Sequence, residues 1–136
     1  MIAKTEQRMD LRIPAVLDSL EPIFLQFRGW CRAVTSTRDS FAAELLLREA
    51  LTNAVVHGCK CDPGLQVRCA LRINPRRILI GILDDGEGFD WRAVRARDES
   101  ADCGRGVDIL RVYGSRVRFN QKGNGTVIIR RIAGGD

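Results

Sequence analysis

Leu65, Val67, Cys69, Leu71 and Ile73 fall on every second position of the chain, with Gln66, Arg68 and Arg72 between them. A period of two is that of a strand with one buried and one wet face. Asn74-Pro75 then reads as a turn, and Ile78 to Leu83 is a nearly continuous apolar run. Such a run predicts a central strand buried on both faces. Two strands with this much apolar surface are not stable alone in water, so the chain has to build a sheet and cover it.

The covering helices are legible upstream. From about Asp18 to Val34 the apolar residues Leu20, Ile23, Phe24, Phe27 and Trp30 recur at helical spacing, with Pro22 in the first turn, where proline is tolerated. Asp39 or Ser40 is expected to cap a second helix running to about His57, with Gly58 as its stop. Before them, Met9, Leu11 and Ile13 alternate as a short strand ended by Pro14. Downstream, residues 86–103 are polar and charged and read as a loop or lid, and Val107 to Tyr113 reads as a helix. Ser115 to Phe119 and Thr126 to Ile132 are β-rich and joined by Gln121-Lys122-Gly123-Asn124-Gly125, a strong hairpin signal. The expected order is β-α-α-β-β-loop-α-β-β. Clustered hairpins predict an α/β (α+β) two-layer sandwich, with a mixed, mainly antiparallel sheet covered on one face by helices.

At 136 residues, with 45% hydrophobic and 29% charged residues, the chain is expected to be a single domain, residues 1–136. No apolar run approaches the roughly 18 residues of a membrane span, and Met1 to Gln7 lack the apolar core of a secretion signal. A cytoplasmic protein without membrane contact is therefore expected. The net charge of +5 resides in residues 104–136, which hold seven Lys/Arg and two acids. A basic third can face nucleic acid, a nucleotide or an acidic protein. No zinc-finger, zipper or aromatic RNA-binding signature accompanies it, so no direct nucleic-acid contact is expected. The five cysteines form no disulfide framework and read as reduced thiols. His57-Gly58-Cys59-Lys60-Cys61 groups three potential ligands, but the second pair that metal sites usually draw on is missing.

Three motifs can carry chemistry. On the second helix, Glu44 and Arg48 read as an ordinary surface i,i+4 pair, whereas Glu49 and Asn53 lie roughly 140° around the axis among Phe41, Leu46 and Val56. A carboxylate and an amide one turn apart among apolar residues need partners. They suit a metal-bound phosphate, the amide oxygen ligating Mg²⁺ and the carboxylate taking a proton. A second solvated stripe is the plainer explanation. Next, Asp84-Asp85-Gly86-Glu87-Gly88 follows the apolar strand. A carboxylate at a strand end can accept a hydrogen bond from an exocyclic amine such as adenine's, and glycines let a flat ring approach; a simple Asp-Gly turn accounts for the residues equally. Last, Gly104-Arg105-Gly106 opens the helix from Val107, where free N–H groups can face a phosphate, although a helix cap explains it too.

In order and spacing the three motifs resemble the GHKL ATPase superfamily, which includes the ATP-binding domain of histidine kinases. Glu49 to Gly58 is similar to its N box, Asp84 to Gly88 to its D-x-G-x-G box, Gly104-Arg105-Gly106 to the next glycine box and Gly125-Thr126 to the closing G-T. The resemblance runs from about Glu44 to Ile132 and implies a histidine-kinase-like ATP-binding fold. It implies that Asn53 binds Mg²⁺ bridging the ATP phosphates, that Asp84 takes the adenine amine, and that Glu49 is the general base. Gly86, Gly88, Gly104 and Gly106 would shape the pocket and lid, with Thr126 near adenine. Arg95, Arg97 and Arg105 are candidates for the terminal phosphate.

Size selects within the superfamily. The only histidine, His57, lies inside the N box, so there is no acceptor histidine on a separate dimerisation helix. The chain is similar to the anti-sigma-factor serine/threonine kinases of bacterial partner switching. That resemblance implies a homodimer that binds a sigma factor or an anti-anti-sigma protein of the STAS type, and phosphorylates the latter. The second glycine box reads Gly-Arg-Gly-Val where Gly-Met-Gly-Phe is the familiar form. The alternative expectation is a nucleotide-binding regulatory module that sequesters a protein partner without kinase activity.

Overall fold

The computed structural model describes residues 6–87, 110 and 112–132. Among these residues five strands form one sheet in the order β1-β2-β3-β5-β4: β1 (Gln7–Pro14), β2 (Gln66–Ile73), β3 (Arg77–Asp84), β4 (Arg116–Phe119) and β5 (Gly125–Arg131). Helices α1 (Glu21–Arg32) and α2 (Thr37–Asn53) cover one side of it. The expected sandwich is present, with one difference: every pairing is antiparallel rather than mixed. Two helical passes separate β1 from β2, and an even number of passes returns the chain antiparallel. Between β3 and β4, only Leu110, Val112 and Tyr113 of the expected helix are described, and they are helical.

Register decides which residues face the helices. Leu11 opposes Cys69, Cys69 opposes Ile82, and Ile82 opposes Thr126, so these point to the core side. Leu71, Ile80 and Ile128 align in the next inward row and belong to the same buried cluster as Phe27, Leu47 and Leu51 of the helices. Each such side chain, fully buried, contributes about 1.5–3 kcal/mol relative to exposure. The expectation that β3 is buried on both faces is not met. Ile78, Ile80 and Ile82 are buried, but Leu79 and Gly81 are only half-buried and Leu83 is 39% exposed. Among the described residues the helices cover one face of the sheet only.

Both helix starts differ from expectation. A 3-10 turn, Leu17–Ser19, precedes α1, which begins at Glu21 with Pro22 in its first turn. The cap of α2 is Ser36 rather than Asp39 or Ser40: its backbone is extended and its hydroxyl accepts from the Asp39 N–H at 3.1 Å. Asp39 is thereby free to accept from Arg130 of β5 at 2.9 Å, which ties the helix start to the sheet. At its other end α2 does not run to His57 as an α-helix. It stops at Asn53 and continues as a π turn, Ala54–Gly58, a departure from α geometry found frequently at functional sites.

Glu44 and Arg48 were expected as a surface pair, yet Glu44 is 9% exposed. Arg28 of α1 donates to both its oxygens at 2.6 Å, and Arg48 Nε donates to Oε2 at 2.9 Å. Arg48 also donates to Glu21 and lies 4.5 Å over the Phe24 ring. Because α1 packs over this side of α2, the pair is a clamp between the helices. The hydrogen bonds from Arg28 hold the Glu44 carboxyl below its ordinary range. Phe41, expected beside Glu49 and Asn53 in the apolar surroundings, is instead 64% exposed.

Candidate functional site

The π turn and the end of β3 meet. Gly58, its last residue, packs so closely on Asp84 that an added Cβ would lie 2.8 Å from Oδ1. Gly86 in turn leaves room for the Gly58 carbonyl oxygen, which a Cβ at Gly86 would strike. Two glycines thus let the end of α2 approach the Asp-x-Gly turn with no side chain between them.

Asp84 is 4% exposed, and its Oδ1 accepts from the Gly86 N–H at 2.8 Å. Burial pushes its carboxyl above the ordinary value, while the Gly86 N–H and the charge of Lys122 act against that shift. Its main chain is latched to the β4–β5 hairpin: the Asp84 N–H donates to the Asn124 carbonyl at 2.9 Å, and Asn124 Nδ2 donates to the Asp84 carbonyl at 3.0 Å. Asn120 organises that hairpin, its Oδ1 accepting from the N–H groups of Gly123, Asn124 and Gly125. Gly123 has φ 85°, the left-handed conformation that glycine favours. Neighbouring Asp85 is fastened to Gln66 of β2 through both its N–H and its carboxylate.

Asn53 closes α2 and begins the π turn. It is 8% exposed, and its buried Nδ2 has no hydrogen-bond partner among the described residues. A buried amide donor without a partner is costly, about 1–3 kcal/mol, and calls for a ligand that can accept from it. Glu49 is half-buried one helical turn earlier. Thr126 pairs with Ile82 on the helix side of the sheet, two residues along the strand from Asp84. The structure therefore brings Asp84 and Gly86 against the last residue of the π turn that Asn53 precedes, with Thr126 on the same side of the sheet. Gly88, Gly104, Arg105 and Gly106, with Arg95, Arg97 and the expected lid, lie outside the described residues.

Three participants were not anticipated: Gly58 as a packing partner rather than a helix stop, and the two asparagines that tie the hairpin to Asp84. The hairpin signal was legible around Asn124, but its forty-residue reach to Asp84 had no mark in the sequence. His57, half-buried in the π turn, is kept toward its neutral form by burial. The four described cysteines are free thiols, and burial pushes Cys31 and Cys69 up to about 12. Among the described residues no group of three or more His, Cys, Asp or Glu side chains is placed to hold a metal ion, and no helix is long and apolar enough to cross a membrane.

Comparison with known proteins agrees with this fold. Residues 13–132 match the histidine kinase-like ATPase domain family. The chain is 30% identical over 112 residues to the serine-protein kinase RsbW of Staphylococcus epidermidis, covering 81% of this chain and 70% of that protein. It is 29% identical over 111 residues to the RsbW of Staphylococcus aureus strain MSSA476, covering 80% and 70%. The chain belongs to the histidine-kinase-like ATPase superfamily and, within it, to the family of the anti-sigma-factor serine kinases.

Proposed function

We propose that this chain is a single-domain, ATP-dependent protein serine/threonine kinase that also acts as an anti-sigma factor in the cytoplasm. Its substrate is an anti-anti-sigma protein of the STAS type, its second partner is a sigma factor, and it works as a homodimer. The observation that carries the reading is the buried amide of Asn53, without a partner, at the start of the π turn whose last glycine packs on the Asp84 carboxylate. A nucleotide offers an acceptor for the Asn53 amide and a further donor for the Asp84 carboxylate. Asp84 accepts from the exocyclic amine of adenine, with Gly86 and Gly88 giving the ring room and Thr126 beside it. The Asn53 N–H₂ would donate to a phosphate oxygen and its carbonyl oxygen would help to hold Mg²⁺, which is commonly held by few protein groups plus substrate phosphates. When bound, Mg²⁺ supplies positive charge against the polyphosphate oxygens. The resemblance assigns Gly104, Arg105 and Gly106 to the phosphate side, to which N–H groups and a guanidinium are suited.

Glu49 is the general base. It takes the proton of the partner's serine or threonine hydroxyl as that oxygen bonds to the terminal phosphorus. The bond from phosphorus to the bridging oxygen breaks and ADP leaves. Positioning and electrostatics carry most of such a reaction, so a small domain is sufficient. The test is transfer of labelled phosphate from ATP to a STAS-domain protein. Glu49→Gln should retain ATP affinity and lose about 100-fold or more in rate; a Glu49→Gln enzyme as fast as the parent would remove Glu49 from the role.

A further inference from the structure

The sheet face that no helix among the described residues covers carries a groove of its own. Asp10, Ala70, Gly81 and Val127 stand in one cross-strand row on this face. Ala70 and Gly81 are small and form the floor, below a cavity of about 570 Å³ that Arg12, Arg68 and Leu83 also line. Leu79 and Leu83 rise on either side of Gly81, Arg68 and Arg72 on either side of Ala70, and Arg8 and Arg12 flank Asp10. Rows four residues apart along a strand are separated by about 13.5 Å. An α-helix with its side chains is about 10–12 Å across. A glycine inside a central strand weakens the sheet and often marks a place where another chain approaches closely. Here a Cβ at Gly81 would meet nothing nearer than 3.7 Å, so packing within the chain does not demand glycine.

Charge identifies the occupant. Eight arginines point outward from this face, four on β1 and β2 and four on β3, β4 and β5, against Asp10 within the strands and Glu6 and Asp85 at its margins. Arg68 and Arg72 have only loose partners at 3.9 Å, and Arg8 and Arg12 have no carboxylate within 4.0 Å among the described residues. A second copy would oppose arginines to arginines. Duplex nucleic acid would satisfy the guanidinium groups but leave Leu83 and Val127 facing phosphate. We infer that this groove receives an acidic amphipathic helix of a protein partner, its apolar stripe on Ala70, Gly81 and Leu83 and its carboxylates reaching the flanking arginines. This is a docking surface on the side of the sheet away from Asp84, independent of the nucleotide reading.

The test uses a labelled synthetic helical peptide with a leucine stripe flanked by glutamates, its twin with lysines for glutamates, vesicles of mixed phosphatidylserine and phosphatidylcholine, and a DNA duplex. The glutamate peptide should bind the full chain at least about tenfold more tightly than its twin, less so as salt rises. Gly81→Leu, which fills the floor, and the double variant Arg8→Glu with Arg12→Glu should each weaken that binding about tenfold or more. Both should keep the parent's ATP affinity and cooperative melting. Equal binding of the two peptides, or no effect of either change, overturns the proposal. So does tighter binding of vesicles or duplex that the same changes abolish, or a parent oligomer that Gly81→Leu dissociates.

Discussion

Replacing Gly58 by alanine should damage stability and nucleotide recognition together, through a single methyl group. The new Cβ would lie 2.7 Å from Asp84 Cγ and 2.8 Å from Oδ1. Carbon contacts are favourable near 3.5–4.0 Å, so one partner has to move by about 1 Å. The Gly58 backbone cannot retreat freely, because its carbonyl oxygen is packed against Gly86. The Asp84 carboxylate must yield, and with it the 2.8 Å bond from the Gly86 N–H. Overpacking of this kind costs about 1–3 kcal/mol and a lost hydrogen bond about 1, so Gly58→Ala should be about 2–4 kcal/mol less stable. If Asp84 takes the adenine amine, losing a bond to a charged acceptor should weaken ATP about 10- to 100-fold. Denaturant unfolding and ATP calorimetry read the two effects. Gly29→Ala is the control: no atom lies within 4 Å of its added Cβ, so it should stabilise α1 by about 0.5–1 kcal/mol. A Gly58→Ala protein with the parent's stability and ATP affinity would refute the argument.

Two further substitutions separate structural from recognition roles. Glu44→Gln breaks the clamp between α1 and α2 and should lower Tm by roughly 5–10 °C at pH 7. The Glu44 pKa lies below its unfolded 4.5, so the clamp contributes fully above that pH and is lost as pH falls through the folded value. Melting from pH 7 to 3 should therefore show the parent's advantage over Glu44→Gln shrinking below about pH 4.5; a constant advantage would remove the charge from the account. Asp84 has the opposite sign. Its pKa is raised above 3.8, so burial of the charged form opposes folding once pH rises through the folded value. Asp84→Asn should raise Tm at pH 7 while weakening ATP about tenfold and narrowing its preference over GTP; an unchanged preference would remove Asp84 from adenine recognition.

Much of this architecture was legible because local periodicity and local burial agreed. The alternation in β2 and the Gly-Asn-Gly hairpin needed no distant partner to be read. The places where reading failed depend on contacts between segments far apart in the chain. Glu44 looks like a surface residue until α1 delivers Arg28 from sixteen residues upstream. Ile78 to Leu83 looks buried on both sides because an apolar run cannot say which of its faces the helices cover; Leu83 stays 39% exposed. The same holds at the candidate site. Asn53 and Asp84 were legible as motifs, but Gly58 gained its role only when the π turn set it on Asp84, and Asn124 only when the hairpin folded back to β3. Glycine carries no chemistry of its own, so its closeness to a carboxylate cannot be read from composition.

The central claim is that the end of α2 and the turn after β3 form a Mg-ATP site. Calorimetric titration of the purified chain with ATP, in the presence and absence of Mg²⁺ and beside Asn53→Ala, tests it most directly. The account predicts saturable binding that depends on Mg²⁺ and is lost in Asn53→Ala, while the variant, relieved of a buried amide without a partner, melts no lower than the parent. Absence of binding at millimolar ATP and Mg²⁺, or equal binding by parent and variant, would contradict it.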